Sequence, residues 1–311
     1  MIDTFSQESQ LNTAPQRAFW QQVKHQSITT KDGITLAYGQ IDHPSPKGTI
    51  VISNGRVESY IKYHELMFDL YQAGYQIFAL DHRGQGLSTR ITPNPHQGHI
   101  EQFSHYIEDF SQFIDEVVLA NAQAKLYLVG HSMGGCIGSL YLQHKPNVFH
   151  AAVFSAPMFG IRLPINRQFI RWLARLLTNR KHPNYVLGGK DYAPSPFKGN
   201  DLTHSQARYE DYLRIYADDP RLQLGSPTNH WLVEAIDASE RAVLAAKETP
   251  VPKLILQAAE DTIVDNQAQN RCQSQHCQIV TIENARHEVF MEQDKPRNIA
   301  LSQLLQFLEQ H

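Results

Sequence analysis

Apolar residues gather in short, nearly unbroken runs at 49–53, 76–80, 126–129, 151–154 and 254–256, with a further β-like run at 278–282. Runs this short and continuous predict strands covered on both faces, the condition of a parallel sheet. Between them the spacing changes. Within 62–73 (Leu66, Met67, Leu70, Tyr71) and 103–120 (Phe110, Phe113, Ile114, Val117, Val118) apolar positions return at i, i+3, i+4 and i+7, which predicts crossover helices. Alternating strands and helices give an α/β fold, a mostly parallel central sheet flanked by helices, whose ligands sit at the carboxyl ends of the strands.

The alternation stops after Ala156-Pro157. From 158 to 225 no clean apolar strand occurs, and prolines, glycines, aromatics and arginines replace the pattern until a helical segment at 227–246 restores it. A stretch that long is an inserted subdomain rather than one loop, so the expected division is a core of 1–157 and 226–311 and an insertion of 158–225. Inside the insertion Ile165, Phe169, Ile170, Trp172, Leu173, Leu176 and Leu177 share one helical face, and Arg167, Arg171 and Arg175 recur on the other. Two readings follow: the apolar face packs on the core beneath a solvated basic back, or the helix is a lid that touches amphiphilic substrate or anionic headgroups.

Composition narrows the function classes. A chain of 311 residues with 41% hydrophobic and 19% charged residues can bury a large core, and a net charge of −3 offers no field for nucleic acid. Residues 1–20 are polar, without the basic and apolar regions of a signal peptide, and no apolar run approaches the roughly 20 residues of a membrane span. Three cysteines, Cys136, Cys272 and Cys277, suit free thiols in a reducing compartment, so a cytoplasmic location is expected.

The chemistry centres on 126–129 running into Gly130-His131-Ser132-Met133-Gly134-Gly135, a G-x-S-x-G turn between a strand and a helix. Such a corner exposes a serine hydroxyl, and glycines allow strand and helix to crowd there. A serine hydroxyl needs a general base and a group that orients it. In the chain order of this fold the acid follows a late strand and the histidine follows the last one. These positions hold Asp261, with Asp265 and Glu260 as rival carboxylates, and His287. His131 is expected to leave the corner opposite Ser132 and pack. Oxyanion donors are assigned to the backbone N–H of Met133 and, from the loop Asn54-Gly55-Arg56-Val57, the backbone N–H of Arg56. Gly84-Gln85-Gly86 reads as a tight turn, and Asp81-His82-Arg83 as a buried ion-pair turn supporting the site. His96, His99 and His105 lack the partners of a metal site, so neither metal nor cofactor is expected.

With these residues in place the chain resembles the α/β-hydrolase family, and within it the monoacylglycerol-lipase-like group to which bacterial lysophospholipases belong. The segments that carry the resemblance are 54–60, Asp81-His82-Arg83-Gly84-Gln85-Gly86, Gly98-His99, the Ser132 turn and Ala156-Pro157-Met158-Phe159-Gly160, with Asn54 standing where relatives often carry His. The resemblance implies that Ser132, Asp261 and His287 form a triad and that 158–225 is a helical cap over an acyl pocket, with Phe159, Phe169 and Trp172 as substrate contacts. It implies a serine carboxylester hydrolase that releases fatty acid from single-chain lipids, above all lysophospholipids; peripheral membrane contact through the cap is expected from the Arg167, Arg171 and Arg175 face. Alternatives are a monoacylglycerol lipase, a short-chain or amide hydrolase, or a binding protein that has lost the chemistry.

Overall fold

Residues 5–311 are described by a computed structural model; residues 1–4 of the polar N-terminal stretch lie outside the described residues. A short helix α1 (Ala14–Trp20) leads into an antiparallel hairpin, β1 (Lys24–Thr29) and β2 (Thr35–Ile41). Next come β3 (Gly48–Ser53), α2 (His64–Gln72), β4 (Tyr75–Leu80), and α3 (Ser104–Phe113), which continues through a π-helical turn into α4 (Leu119–Asn121). β5 (Leu126–His131), α5 (Met133–His144) and β6 (Ala151–Ser155) complete the first part of the core. The 158–225 stretch holds α6 (Arg167–Leu177) and α7 (Gln206–Asp218). The chain then returns through α8 (Asn229–Glu248), β7 (Lys253–Ala258), α9 (Asn266–Asn270), β8 (Cys277–Ile282) and α10 (Asp294–Gln310).

One eight-stranded sheet runs β1-β2-β4-β3-β5-β6-β7-β8, with β2 antiparallel to both neighbours and every pair from β4 onward parallel. Every residue of β3, β4, β5, β6 and β7 is buried, as their continuous apolar runs require. The sequence reading missed the hairpin because β1 is an exposed edge strand of mostly polar residues and β2 interrupts its apolar positions with Gly39 and Gln40. From β3 the chain steps one way to β4 and the other way to β5. That reversal opens a crevice above the carboxyl ends of β3 and β5, where the Asn54 loop and Ser132 both emerge.

α6 is oriented against the simpler of its two sequence readings. Its arginines face α8: Arg171 and Arg175 bind Asp237 at 2.8 and 2.9 Å, and Arg167 reaches Glu240 at 3.6 Å and Asp265 at 3.7 Å. The apolar face is turned to solvent, with Phe169 50%, Trp172 58% and Leu176 66% exposed. The basic back is therefore paired with acidic side chains rather than free for headgroups, and of its three arginines only Arg175 is exposed. The three cysteines are buried and unpaired, and among the described residues no helix is long and apolar enough to cross a membrane.

Candidate active site

Ser132 is the single residue between β5 and α5, held at φ 49° and ψ −115°. That backbone conformation is strained for an L-residue by about 1–3 kcal/mol and persists because both sides are pinned. Its N–H donates to the Ser155 carbonyl at 3.0 Å, and the Met158 N–H donates to the Ser132 carbonyl at 2.9 Å. Crowding at Gly130 is against the following helix, where a Cβ would meet Gly135 at 2.9 Å. At Gly134 it is against a different strand: a Cβ would stand 1.9 Å from the carbonyl oxygen of Ser53 at the end of β3.

His287, in the loop after β8, places Nε2 2.9 Å from Ser132 Oγ and Nδ1 2.8 Å from Asp261 Oδ2. All three are buried, and Asp261, in the loop after β7, also accepts the N–H groups of Ile263 and Val264 at 2.8 and 3.0 Å. Burial pushes the Asp261 carboxyl upward, but His287 and these main-chain donors outweigh it and hold the group below its ordinary range. An ionised Asp261 accepts Nδ1–H, which leaves Nε2 with a lone pair toward the serine hydroxyl. The rival carboxylates are engaged elsewhere: Asp265 caps α9 and faces Arg167, and Glu260 meets His204 at 3.1 Å. His131 departs from its expected direction. Its ring lies 4.9 Å from the ring of His287 and lines the same cavity, with Nδ1 3.1 Å from the Ser155 carbonyl. Burial pulls it down to about 4 against the opposing charge of Glu58, so it packs as a neutral ring.

The loop 54–57 is fixed from beneath. Gly55 N–H donates to Glu58 at 2.6 Å, and the Gln85 amide donates to the carbonyls of Gly55 and Glu58 at 2.7 and 2.9 Å. Asp81 accepts four donors, from Asn54, Ser59, Tyr60 N–H and Leu87 N–H. Burial lifts Asp81 to about 6 against those donors. The expected ion-pair turn at 81–83 is thus split, because Arg83 binds Asp109 at 2.5 Å and Asp32 at 2.8 Å and leaves Asp81 to the loop. Gly84 and Gly86 both have positive φ, as a tight turn requires, and a Cβ on Gly86 would stand 2.0 Å from Asp81. Among the described residues the main-chain N–H groups of Arg56 and Met133 have no acceptor within the protein.

Ser132 and His287 open on a cavity of 370 Å³. Met158, Ile161, Ile263 and Val264, beyond the ends of β6 and β7, give it apolar wall, and Arg56, Glu58, Lys62 and Glu288 give it charge. The three aromatic contacts expected of the cap do not line it: Phe159 is fully buried against Phe154, and Phe169 and Trp172 stand on the solvent face of α6. From 158–225 the cavity takes Met158, Ile161, Leu202 and Tyr212 instead. Sequence reasoning also passed over a buried trio, in which Lys62 Nζ lies 3.0 Å from Glu58 and 2.5 Å from Glu288. Burial favours the neutral acids, Lys62 overcomes this at Glu58, and Glu288 stays above its ordinary range. Glu58 and Lys62 at i, i+4 were the only signal, since Glu288 arrives from the other end of the chain. His99 serves a hydrogen bond to Thr228 at 2.8 Å, and among the described residues no cluster of metal-ligating side chains occurs.

The family model described as serine aminopeptidase, S33 matches residues 44–294. Lysophospholipase L2 of Escherichia coli K12 is 37% identical over 96% of this chain and 91% of its own length. Monoglyceride lipase of Mus musculus is 26% identical over 81% and 77%. Among solved structures, a soluble variant of monoglyceride lipase from Saccharomyces cerevisiae, in complex with a substrate analog, superposes with a TM-score of 0.73 over 93% of this chain and 95% of that one, at 21% identity.

Proposed function

Because the chain belongs to the serine aminopeptidase S33 family of hydrolases and has the α/β-hydrolase fold, we propose that it is a serine carboxylester hydrolase that releases fatty acid from lysophospholipids. The observation that carries the proposal is His287 joining Ser132 and Asp261 at the floor of a partly apolar cavity. Ser132 Oγ attacks the ester carbonyl as Nε2 of His287 takes its proton, and Asp261 stabilises the imidazolium. The main-chain N–H groups of Arg56 and Met133 receive the oxyanion. The imidazolium returns the proton to the departing glycerol oxygen, and a water, deprotonated by the same histidine, frees the fatty acid from the acyl-enzyme. Relative kcat/KM on a lysophospholipid, a monoacylglycerol of the same acyl chain and a short-chain ester tests the substrate class. The lysophospholipid is expected to lead; a lead for either of the others reassigns the enzyme to that class.

The insertion acts as a cap whose exposed α6 face rests on the lipid surface that supplies the substrate. Phe169, Trp172 and Leu176 form a contiguous apolar strip on solvent, which a lone soluble molecule has no reason to keep. Contact is through these side chains rather than through Arg167, Arg171 and Arg175, which are committed to α8. Cosedimentation with phosphatidylcholine vesicles is expected to weaken about tenfold in the Trp172→Glu, Leu176→Glu double variant, with thermal melting as the fold check. Unchanged cosedimentation would remove α6 from the membrane contact.

A further inference from the structure

Arg56 is set apart from Lys62, which lines the same cavity, and from the arginines of α6 by what it lacks. Lys62 is held by two glutamates, and the arginines of α6 by Asp237, Glu240 and Asp265. The Arg56 guanidinium has no carboxylate within salt-bridge distance among the described residues. Its Nη2 donates to the Gly225 carbonyl at 2.6 Å, its Nε is sealed from solvent without a partner, and its Cζ lies 5.1 Å from the centre of the Trp231 ring. Asp191, on an adjoining cleft that Arg56 also lines, is bound by Asn94 and Tyr185. Gly98 leaves the room the side chain uses, since a Cβ there would meet Nη2 at 2.5 Å. Burial lowers the group to about 10, which leaves it charged at neutral pH. An uncompensated cation in a cleft costs folding free energy, and an anionic ligand is the partner that offsets it.

From this we infer that Arg56 receives the phosphodiester of a lysophospholipid, and that this contact separates such a substrate from a monoacylglycerol. The inference rests on the hydrolase reading above and adds a specificity residue to it. The same residue contributes its main-chain N–H to the oxyanion position, so its side chain starts from the point where the ester carbonyl is held. In the substrate a glycerol separates that carbonyl from phosphorus, a linker close in length to the arginine side chain between backbone and guanidinium. One residue therefore spans the reacting ester and the charge that identifies the lipid, and a guanidinium fork suits two phosphate oxygens.

The test compares lysophosphatidylethanolamine, lysophosphatidylglycerol and monoacylglycerol of one acyl chain in the same mixed micelles. In Arg56→Gln the kcat/KM ratio of each lysophospholipid to monoacylglycerol is expected to fall roughly 30-fold, the loss of a charge-assisted hydrogen-bond pair, with Arg56→Lys between. General damage to the loop lowers all three substrates together and leaves both ratios where they were, which overturns the inference. So does a fall confined to the ethanolamine lipid, since the phosphodiester is common to both. Should Arg56→Gln not fold, the wild-type enzyme decides: a non-hydrolysable ether lysophospholipid is expected to inhibit at least tenfold better than the matching alkylglycerol, and equal inhibition overturns the inference. A wild-type enzyme that cleaves none of the esters defeats the hydrolase reading instead, whereas one that cleaves lysophospholipid with ratios indifferent to Arg56 defeats this inference alone.

Discussion

Ser132→Ala is expected to lower kcat/KM for fatty acid release by a factor on the order of 10⁴ or more and to abolish covalent labelling by a fluorophosphonate. The size follows from geometry: among the described residues, the Oγ 2.9 Å from His287 Nε2 is the only hydroxyl that the histidine reaches. His287→Ala is expected to cost about as much, and the double variant little more than either, because nucleophile and base act as one unit. Arg56 offers a contrast, since its assigned oxyanion donor is main chain and survives side-chain substitution. Turnover within tenfold of wild type in Ser132→Ala, measured as fatty acid released, would end the proposed mechanism. Labelling that persisted would place the reactive nucleophile on another residue.

How much of this was legible in the sequence depends on how local each signal is. The buried parallel strands announced themselves because burial on both faces forces continuous apolar runs, and Ser132 because a strand, glycines and a helix surround it within a few residues. His287 was found by chain order alone. Asp261 was preferred to Asp265 and Glu260 on the same order, and the coordinates show why the rivals differ: Asp265 caps α9, whereas Asp261 meets His287. The α6 helix shows where periodicity stops. Its amphipathic spacing was plain, but which face turns inward was decided by Asp237 and Glu240 on α8, far along the chain. Ion pairs between distant segments leave no pattern in either one. The same holds for Asp81, whose four donors come from three stretches of the chain.

Lys62→Met is expected to destabilise the fold by about 3–5 kcal/mol, lowering Tm by roughly 10 °C, and to depress kcat as well. Lys62 is buried and joins three parts of the site: Glu58, which fixes the Gly55 N–H and so the Arg56 loop; Glu288, next to His287; and, at 4.7 Å, the ring of Tyr212 on α7. Methionine fills similar volume but leaves two glutamates facing one another without a cation. One of them then holds a proton in the folded state, so its folded pKa rises above the roughly 4.3 of an unfolded glutamate. A raised folded pKa gives stability that is present at low pH and is lost as pH climbs through that value. The deficit of Lys62→Met relative to wild type is therefore smaller at pH 5 than at pH 8, and adding Glu58→Gln recovers part of it at the higher pH. Melting curves across that range decide the matter: a deficit of constant size would mean that Lys62 acts through its packed stem, and that the charges of Glu58 and Glu288 do not tie the Arg56 loop to the His287 loop.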